Sequence, residues 1–564
     1  MSNFLGEIRR FFRLKQWSAP VLVKGQYFHL FRPEGMFASE LWQGQEEQLL
    51  AGDPGEPFAQ VNSTLASLPN QRAVGLLTSE HRVLICLRNT ADERLSVMNM
   101  AGEIIAAALS PLAPPALSSA GELVLLPPPA RGERLRYTEV RVDGTLQPCL
   151  VRMSGGETTI IEAEVDATGQ LRARTQEPLL VSKNGEKIWL AGEKIFRVSG
   201  GSLLDLAGFS YPLPDGKTLA VSAPCASNSH IFIAVRQCGE TGPSTRILAL
   251  FPGRNPQLIT ELPTGVKQRG FSADESGRLW LTLAEASRGS YLASVDSESL
   301  ELQSQCADTE GEIIYEQHTV RSEDGQSIPY ILAFSPEHRR DNSPLLLTVY
   351  GGFGIENAPD AEPTLPAWAK AGGIMVFAQV RGGSEKGEAW HRAGQGASKM
   401  RTINDVLTVA QAVREHSRGR LTICGASFGG LTALISALEA DARGCTLFDG
   451  IVATSPLLEA LHLDRHPNGA FWGSELPADE AARADLSPLH RLRNFNGDTL
   501  PPLWLASTGQ DARLADNAPE FAELWSAFGQ VQHWRDEDLG HVGAPLKRID
   551  ARAASLLQFA AAGR

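Results

Sequence analysis

The stretch Cys424-Gly425-Ala426-Ser427-Phe428-Gly429-Gly430 constrains this chain more than any other, because a G-x-S-x-G-G element joins the apolar run Leu421-Thr422-Ile423 to a helix-like segment at 431–440. A strand that turns into a helix within so few residues can hold a serine hydroxyl clear of the backbone only if the flanking residues are small. Gly425 and Gly429 stand where such a turn needs them, and the element reads as a nucleophile elbow. In a chain with 53 glycines the same spacing also describes an ordinary turn. The residues beyond the elbow decide between the two.

An acid and then a histidine come later in the chain, in the order Ser, Asp, His used by α/β-hydrolases. Asp511 lies in Ser507-Thr508-Gly509-Gln510-Asp511-Ala512-Arg513-Leu514, directly after the apolar run Leu503-Trp504-Leu505-Ala506. It is therefore expected on a loop at the carboxyl end of a strand, where open α/β sheets place their active groups. His541 lies in the glycine-flanked loop Asp538-Leu539-Gly540-His541-Val542-Gly543, before a last helix-like segment at 544–562. One of twelve histidines taken singly is more often structural than catalytic. Three elements in the right order, each at a junction of strand and loop, point to a Ser427-Asp511-His541 triad.

The chain has two textures. From about 55 to 310, short apolar runs such as Val83-Leu84-Ile85-Cys86-Leu87, Ile188-Trp189-Leu190, Ile231-Phe232-Ile233-Ala234-Val235 and Leu279-Trp280-Leu281-Thr282-Leu283 alternate with turn phrases such as Asp215-Gly216 and Asp274-Glu275-Ser276-Gly277. Many short strands with little helix predict an all-β domain. At roughly 40 residues per blade the span fits a β-propeller of about six or seven blades, and an irregular pair of β-sandwiches is the alternative. After Glu312 strand-like and helix-like runs alternate, which predicts a mostly parallel α/β sheet. The division expected is 1–50 as an amino-terminal segment packing on the hydrolase domain, 51–312 as the β-propeller and 313–564 as the α/β-hydrolase domain.

Beyond the triad, the carboxyl-terminal part resembles the prolyl oligopeptidase family of serine peptidases. The resemblance is carried by Val349-Tyr350-Gly351-Gly352-Phe353-Gly354, by Val380-Arg381-Gly382-Gly383-Ser384 with Gly387-Glu388-Ala389-Trp390-His391, by Phe471-Trp472-Gly473-Ser474-Glu475 and by Ser487-Pro488-Leu489-His490. It covers roughly residues 312–564; ahead of that point it is one of architecture, since the family places a β-propeller before its hydrolase domain. The resemblance implies that the Tyr350 hydroxyl donates to the oxyanion, that Phe353 and Trp472 face the ring of a substrate proline, and that Arg513 holds a substrate carbonyl. Leu476 and Leu514 would add apolar walls. The backbone amide of Phe428, next to the nucleophile, is the other expected oxyanion donor. Phe428 and Leu476 stand where many members carry asparagine and tyrosine, so the pocket is more apolar here, and preference for another small residue such as alanine stays open beside proline.

The expected reaction is hydrolysis of short peptides on the carboxyl side of proline through an acyl-enzyme. Because any nucleophile that reaches an acyl-enzyme can resolve it, a related esterase, acyltransferase or peptide-cyclising enzyme is the alternative. A propeller scaffold with a decayed hydrolase domain would have lost at least one of Ser427, Asp511, His541 and Tyr350. A formal net charge of −13 argues against a nucleic-acid partner or an anionic membrane held by a broad basic surface. No run of 18 apolar residues occurs to span a bilayer. Seven cysteines without a C-x-x-C pair suit free thiols in a reducing compartment and give no metal site, so a cytoplasmic enzyme without metal or cofactor is expected.

Overall fold

The computed structural model describes residues 4–562 except 13, 35, 37, 69–70, 80, 91, 131–132, 143–144, 155–156, 183–187, 192–193, 200–201, 206–209, 213–217, 222–224, 227–230, 239–242, 275–276, 297, 305–312, 361, 467–468 and 542–545. The expected turn at Asp215-Gly216 and the expected boundary at 312 fall outside the described residues.

After residue 313 the apolar runs pair into one eight-stranded sheet. Ile314–Arg321 and Ser327–Phe334 form an antiparallel hairpin at one edge, and Ile374–Ala378 joins it antiparallel. From there Leu345–Val349, Leu421–Ala426, Gly450–Thr454, Leu503–Thr508 and Val531–Asp536 continue the sheet in parallel. Side chains alternate across a strand. Leu345, Leu347 and Val349 thus point into one core with Val406, Leu434 and Trp525, while Leu346 points into the other with Trp368 and Leu557. Helices cover both faces, which is why these strands read as continuous apolar runs instead of an alternation.

Ahead of this sheet lies the all-β domain, a propeller arrangement of five antiparallel sheets among the described residues. They span Gln71–Leu109, Glu133–Val181, Ile188–Pro212, Thr218–Leu262 and Val266–Ser304. Each runs up and down in chain order, and the fourth carries one extra two-residue strand. The count is five and not six or seven because some residues of the expected span go elsewhere and some blade strands are long. Ala59–Ser67 is a helix, Ala116–Leu117 pairs with Leu123–Val124 in a separate ribbon, and the strands of the second blade reach 9 to 11 residues.

The first residues divide between the two domains, where the sequence reading places 1–50 on the hydrolase domain alone. The helix Phe4–Phe12 buries Ile8 completely and stacks Phe4 on Trp368, and Arg9 Nε reaches Asp550 at 2.7 Å, all on the hydrolase side. Strands from Gln16 to Gly44 turn to the β domain: Trp17 N–H donates to Ser290 Oγ at 2.6 Å and Tyr27 packs edge-on against Trp280. The cause is the clustering of Trp17, Tyr27 and Phe31, which find their apolar complement in Trp280 and Leu292 of the last blade.

Candidate active site

The serine sits where the chain is forced into an unusual shape. Strand Leu421–Ala426, in the middle of the parallel sheet, ends at Ser427 with φ +55° and ψ −119°, and helix Phe428–Ala442 starts at the next residue. A left-handed φ on a residue with a side chain is costly and persists only where the surroundings enforce it. Here the enforcement is steric. A Cβ at Gly425 would lie 2.0 Å from the Gly429 carbonyl oxygen, and one at Gly429 would lie 2.5 Å from that of Val349. The Ser427 N–H donates to Thr454 O at 2.8 Å, which ties the apex to the neighbouring strand.

Asp511 and His541 are brought to this apex from the last two strands of the sheet. Asp511 leaves the carboxyl end of Leu503–Thr508 and His541 that of Val531–Asp536, and Gln510 N–H donates to Leu539 O at 3.0 Å between the two loops. His541 Nε2 lies 3.0 Å from Ser427 Oγ, and Nδ1 lies 2.6 Å from Asp511 Oδ2. The other carboxylate oxygen of Asp511 accepts from the amides of Arg513 and Leu514 at 2.8 and 3.0 Å. Burial alone would raise the Asp511 carboxyl; the bond to His541 and these two amides outweigh it and hold the group below its ordinary value, so it is ionised at neutral pH. Such a set can pass a proton from Ser427 to His541 while Asp511 keeps the imidazole in one orientation.

Tyr350 comes directly after strand Leu345–Val349, whose Val349 is in register with Gly425, so its ring lies beside that of Phe428 with centroids 6.4 Å apart. Burial first, and then the charge of Glu475, push its hydroxyl up to about 12, with Arg513 opposing. The hydroxyl therefore keeps its proton and can donate. Phe428 opens the helix after the elbow, the end at which backbone N–H groups face outward.

The apolar pocket residues gather as one cluster: Phe353, Trp472, Leu476 and Leu514 pack with Phe428 and Ile403. Their exposure separates them. Trp472 and Leu476 are each only 2% exposed and form the back wall, with the Trp472 ring parallel to that of Phe428 at 6.4 Å. The aromatic that faces outward is Phe471, 40% exposed and stacked on Phe353 at 4.5 Å and 3°. Its place in the family-like block was visible in the sequence; its orientation was not, because successive residues of a helix point about 100° apart and Gly469–Gly473 is a single short turn of helix.

Arg513 also has a partner that sequence reasoning missed. Its guanidinium donates to Glu93 Oε2 at 2.7 Å, from the turn between the second and third strands of the first blade. Among the described residues three further ion pairs cross between the domains, Arg236 with Glu356 and both Arg269 and Lys267 with Asp360. No signal in the sequence pairs residues 420 positions apart. Among the described residues no three His, Cys, Asp or Glu side chains gather as a metal site would require, and no helix is long and apolar enough to cross a membrane.

With this geometry in view, comparison with known proteins is specific. The model of the prolyl oligopeptidase family matches residues 361–562, a span that includes Ser427, Asp511 and His541 and starts after Tyr350 and Phe353. An uncharacterized peptidase of Sinorhizobium fredii is 29% identical over 253 residues, 43% of this chain and 34% of that protein. A prolyl endopeptidase of Elizabethkingia meningoseptica is 24% identical over 263 residues, 44% of this chain and 36% of that protein. The matched part thus spans about a third of the length of these curated relatives. In fold the likeness extends further: the structure of a post-proline cleaving enzyme from Rickettsia typhi superposes with a TM-score of 0.79 over 99% of this chain and 93% of that one, at 15% identity. The parallel sheet with its elbow, preceded by a propeller, is thus a fold shared with that enzyme over nearly the whole chain, and residues 361–562 match the model of the prolyl oligopeptidase family.

Proposed function

We propose that this protein is a serine peptidase that cleaves short peptides on the carboxyl side of proline or of a similarly small apolar residue. Ser427 Oγ attacks the scissile carbonyl while His541 Nε2 takes its proton; the C–N bond then breaks as the imidazolium returns that proton to the leaving amine. Water, activated by the same imidazole, resolves the acyl-enzyme. Asp511 holds the imidazole. The Phe428 amide and the Tyr350 hydroxyl receive the charge that develops on the carbonyl oxygen, each such donor being worth about 3–4 kcal/mol. The observation that carries the reading is the unbroken relay of 3.0 and 2.6 Å from an elbow serine through His541 to Asp511.

The pocket supports small and apolar over basic. Of the carboxylates beside it, Glu475 is 1% exposed and already bound by Lys399 and His391, and Glu93 is paired with Arg513, so neither is offered free to a lysine or arginine side chain. The fully buried Phe428 ring, lying parallel to Trp472, takes up depth and favours a short, flat residue such as proline. In this reading residues 51–312 are the cover and 313–564 the catalytic domain. The free thiols Cys86, Cys149, Cys424 and Cys445 support the cytoplasm as its place of work.

The deciding experiment is a panel of chromogenic dipeptides and esters varied at the residue before the cleaved bond, run beside fluorophosphonate labelling. Labelling at Ser427 together with turnover highest for proline is the expected result. Turnover confined to esters, or acyl transfer to added amines in preference to water, would replace the peptidase reading with that of an esterase or acyltransferase on the same fold.

A further inference from the structure

Behind the pocket lies a group of charges that the chemistry above does not use. Glu475, two residues after the short helix Gly469–Gly473 that carries Phe471 and Trp472, has a side chain 1% exposed. Four donors from four places in the chain converge on it. His391 Nε2, from helix Glu388–Ala393, lies 2.7 Å from Oε1, and Gln395 Nε2 lies 3.4 Å from the same oxygen. Lys399 Nζ, fully buried at the start of helix Lys399–Val413, lies 3.4 Å from Oε2. The fourth is the backbone N–H of Phe353.

Two of these donors bear on the segment that carries the oxyanion donor. Phe353 is held at φ +56°, the left-handed region that a residue with a side chain seldom adopts, and its amide faces Glu475, whose carboxylate it helps to hold below the ordinary value. Lys399 Nζ donates a second bond, at 2.8 Å, to the carbonyl oxygen of Gly351, directly after Tyr350, and sits 4.9 Å from the centre of the Phe428 ring. One carboxylate therefore links the Tyr350–Phe353 turn to the segment bearing Phe471, Trp472 and Leu476. Burial pulls the Lys399 ammonium down to about 8 while Glu475 works to keep it charged, so removing the carboxylate also loosens the hold on Gly351.

Such a cluster is a poor device for stability alone. Burying an ion pair seldom stabilises more than an apolar replacement of the same shape would, and the surroundings here are already apolar. What four converging donors do give is fixed geometry. We infer that Glu475 is a positioning residue for the reaction, setting the oxyanion turn at Tyr350 and the aromatic pocket wall in register with each other through Lys399, His391 and the Phe353 amide.

The inference rests on the serine-hydrolase reading above, and its test separates the two. Glu475→Gln keeps the shape but offers one acceptor and an NH₂ that faces donors. Activity per active site titrated should fall about 30–100-fold, mostly in kcat with KM within about threefold, because the loss is in placing the oxyanion donor. Fluorophosphonate labelling of Ser427 should slow in parallel, since phosphonylation builds the same negative oxygen; this readout stands whichever substrate is cleaved. Glu475→Asp should recover part of the loss, whereas Glu475→Leu combined with Lys399→Met, which replaces both ends of the buried pair by apolar groups, should fold with near wild-type thermal stability and remain as impaired as Glu475→Gln. If Glu475→Gln does not fold, Lys399→Met and His391→Gln each remove one link and should each cost about 3–10-fold in labelling rate. Wild-type kcat and labelling rate per titrated site in the variants that fold would overturn the positioning role. Absence of Ser427 labelling in the wild-type protein would instead overturn the hydrolase reading itself.

Discussion

The two domains meet the active site with different chemistry. The hydrolase side presents groups whose places are set by packing: the elbow held by glycines against backbone, Ser427, Asp511 and His541 at the carboxyl ends of parallel strands of one sheet, the pocket aromatics stacked at 4.5 to 6.4 Å. The propeller side presents charged side chains on a turn and on strands: Glu93 to Arg513, Arg236 to Glu356, Arg269 to Asp360. Packed cores change little with solution conditions, while exposed ion pairs are weak singly and are screened by salt. Catalytic geometry should therefore be a property of the hydrolase domain, and access to it a property of the link. A chain cut only when it reaches Ser427 between the domains would be sorted by size through those ion pairs.

The largest expected effect tests the catalytic half of that contrast. Ser427→Ala or His541→Ala should lower kcat by about 10⁴-fold or more, with the fluorophosphonate adduct found at Ser427 in the wild-type protein and nowhere in Ser427→Ala. The nearby Ser507, whose hydroxyl lies 2.8 Å from His533 Nε2, serves as the internal control. It lacks an elbow, and mass spectrometry finding the label there would assign the chemistry to the wrong serine.

Next in size, Tyr350→Phe should cost about 10²–10³-fold in kcat with little change in KM, the signature of a donor used mainly in the transition state. The sign of its pH behaviour comes from the raised value. A hydroxyl that titrates at about 12 is still the protonated, donating form at moderately alkaline pH, so the substitution should lower the whole pH–rate profile without moving its alkaline limb. An alkaline limb that disappears in Tyr350→Phe would show that the phenol titrates in the working range.

A smaller effect, about tenfold, is expected for the pocket. Trp472→Ala should reduce kcat/KM on Gly-Pro substrates more than on Gly-Ala ones, whereas Phe471→Ala, which removes the exposed ring stacked on Phe353, should affect both residues' substrates through binding. Equal losses for Gly-Pro and Gly-Ala in Trp472→Ala would mean that this wall does not select proline.

The smallest effect addresses the link. Glu93→Gln removes one partly exposed ion pair, worth about 0.5–1 kcal/mol at most after screening. It should leave turnover of a dipeptide within about twofold yet raise cleavage of a proline-containing loop in a folded protein of about 30 kDa relative to the free peptide of about ten residues. Raising the salt should do the same to the wild-type protein. A ratio that neither change shifts would break the comparison and place the size filter, if one operates, in apolar contacts.

How much of this was legible beforehand varied with the range of the interaction. The elbow, the order Ser427, Asp511, His541 and the alternation of strand and helix after residue 312 are written in local patterns, and the pocket set Phe353, Trp472, Leu476, Arg513 and Leu514 was expected through resemblance. Blade number was not legible, since a strand of four residues and one of eleven leave the same kind of signal and the spacers at 59–67 and 116–124 look like strands or turns of a blade. Nor could the sequence separate Phe471 from Trp472, two adjacent aromatics of which one is 40% and the other 2% exposed.

By itself, then, the sequence determined which chemistry this protein can attempt. A serine between glycines at a strand-to-helix turn, with an acid and a histidine after later strands, is a local arrangement whose sterics can be read residue by residue. Only the tertiary structure decided which groups surround that chemistry: that Glu475 gathers Lys399, His391 and the Phe353 amide, that Arg513 is taken up by Glu93 from the first blade, and that the helix Phe4–Phe12 and the strands after it are shared between two domains. Charges and apolar surfaces choose partners by proximity in space, and proximity between positions hundreds of residues apart arises only when the whole chain has folded.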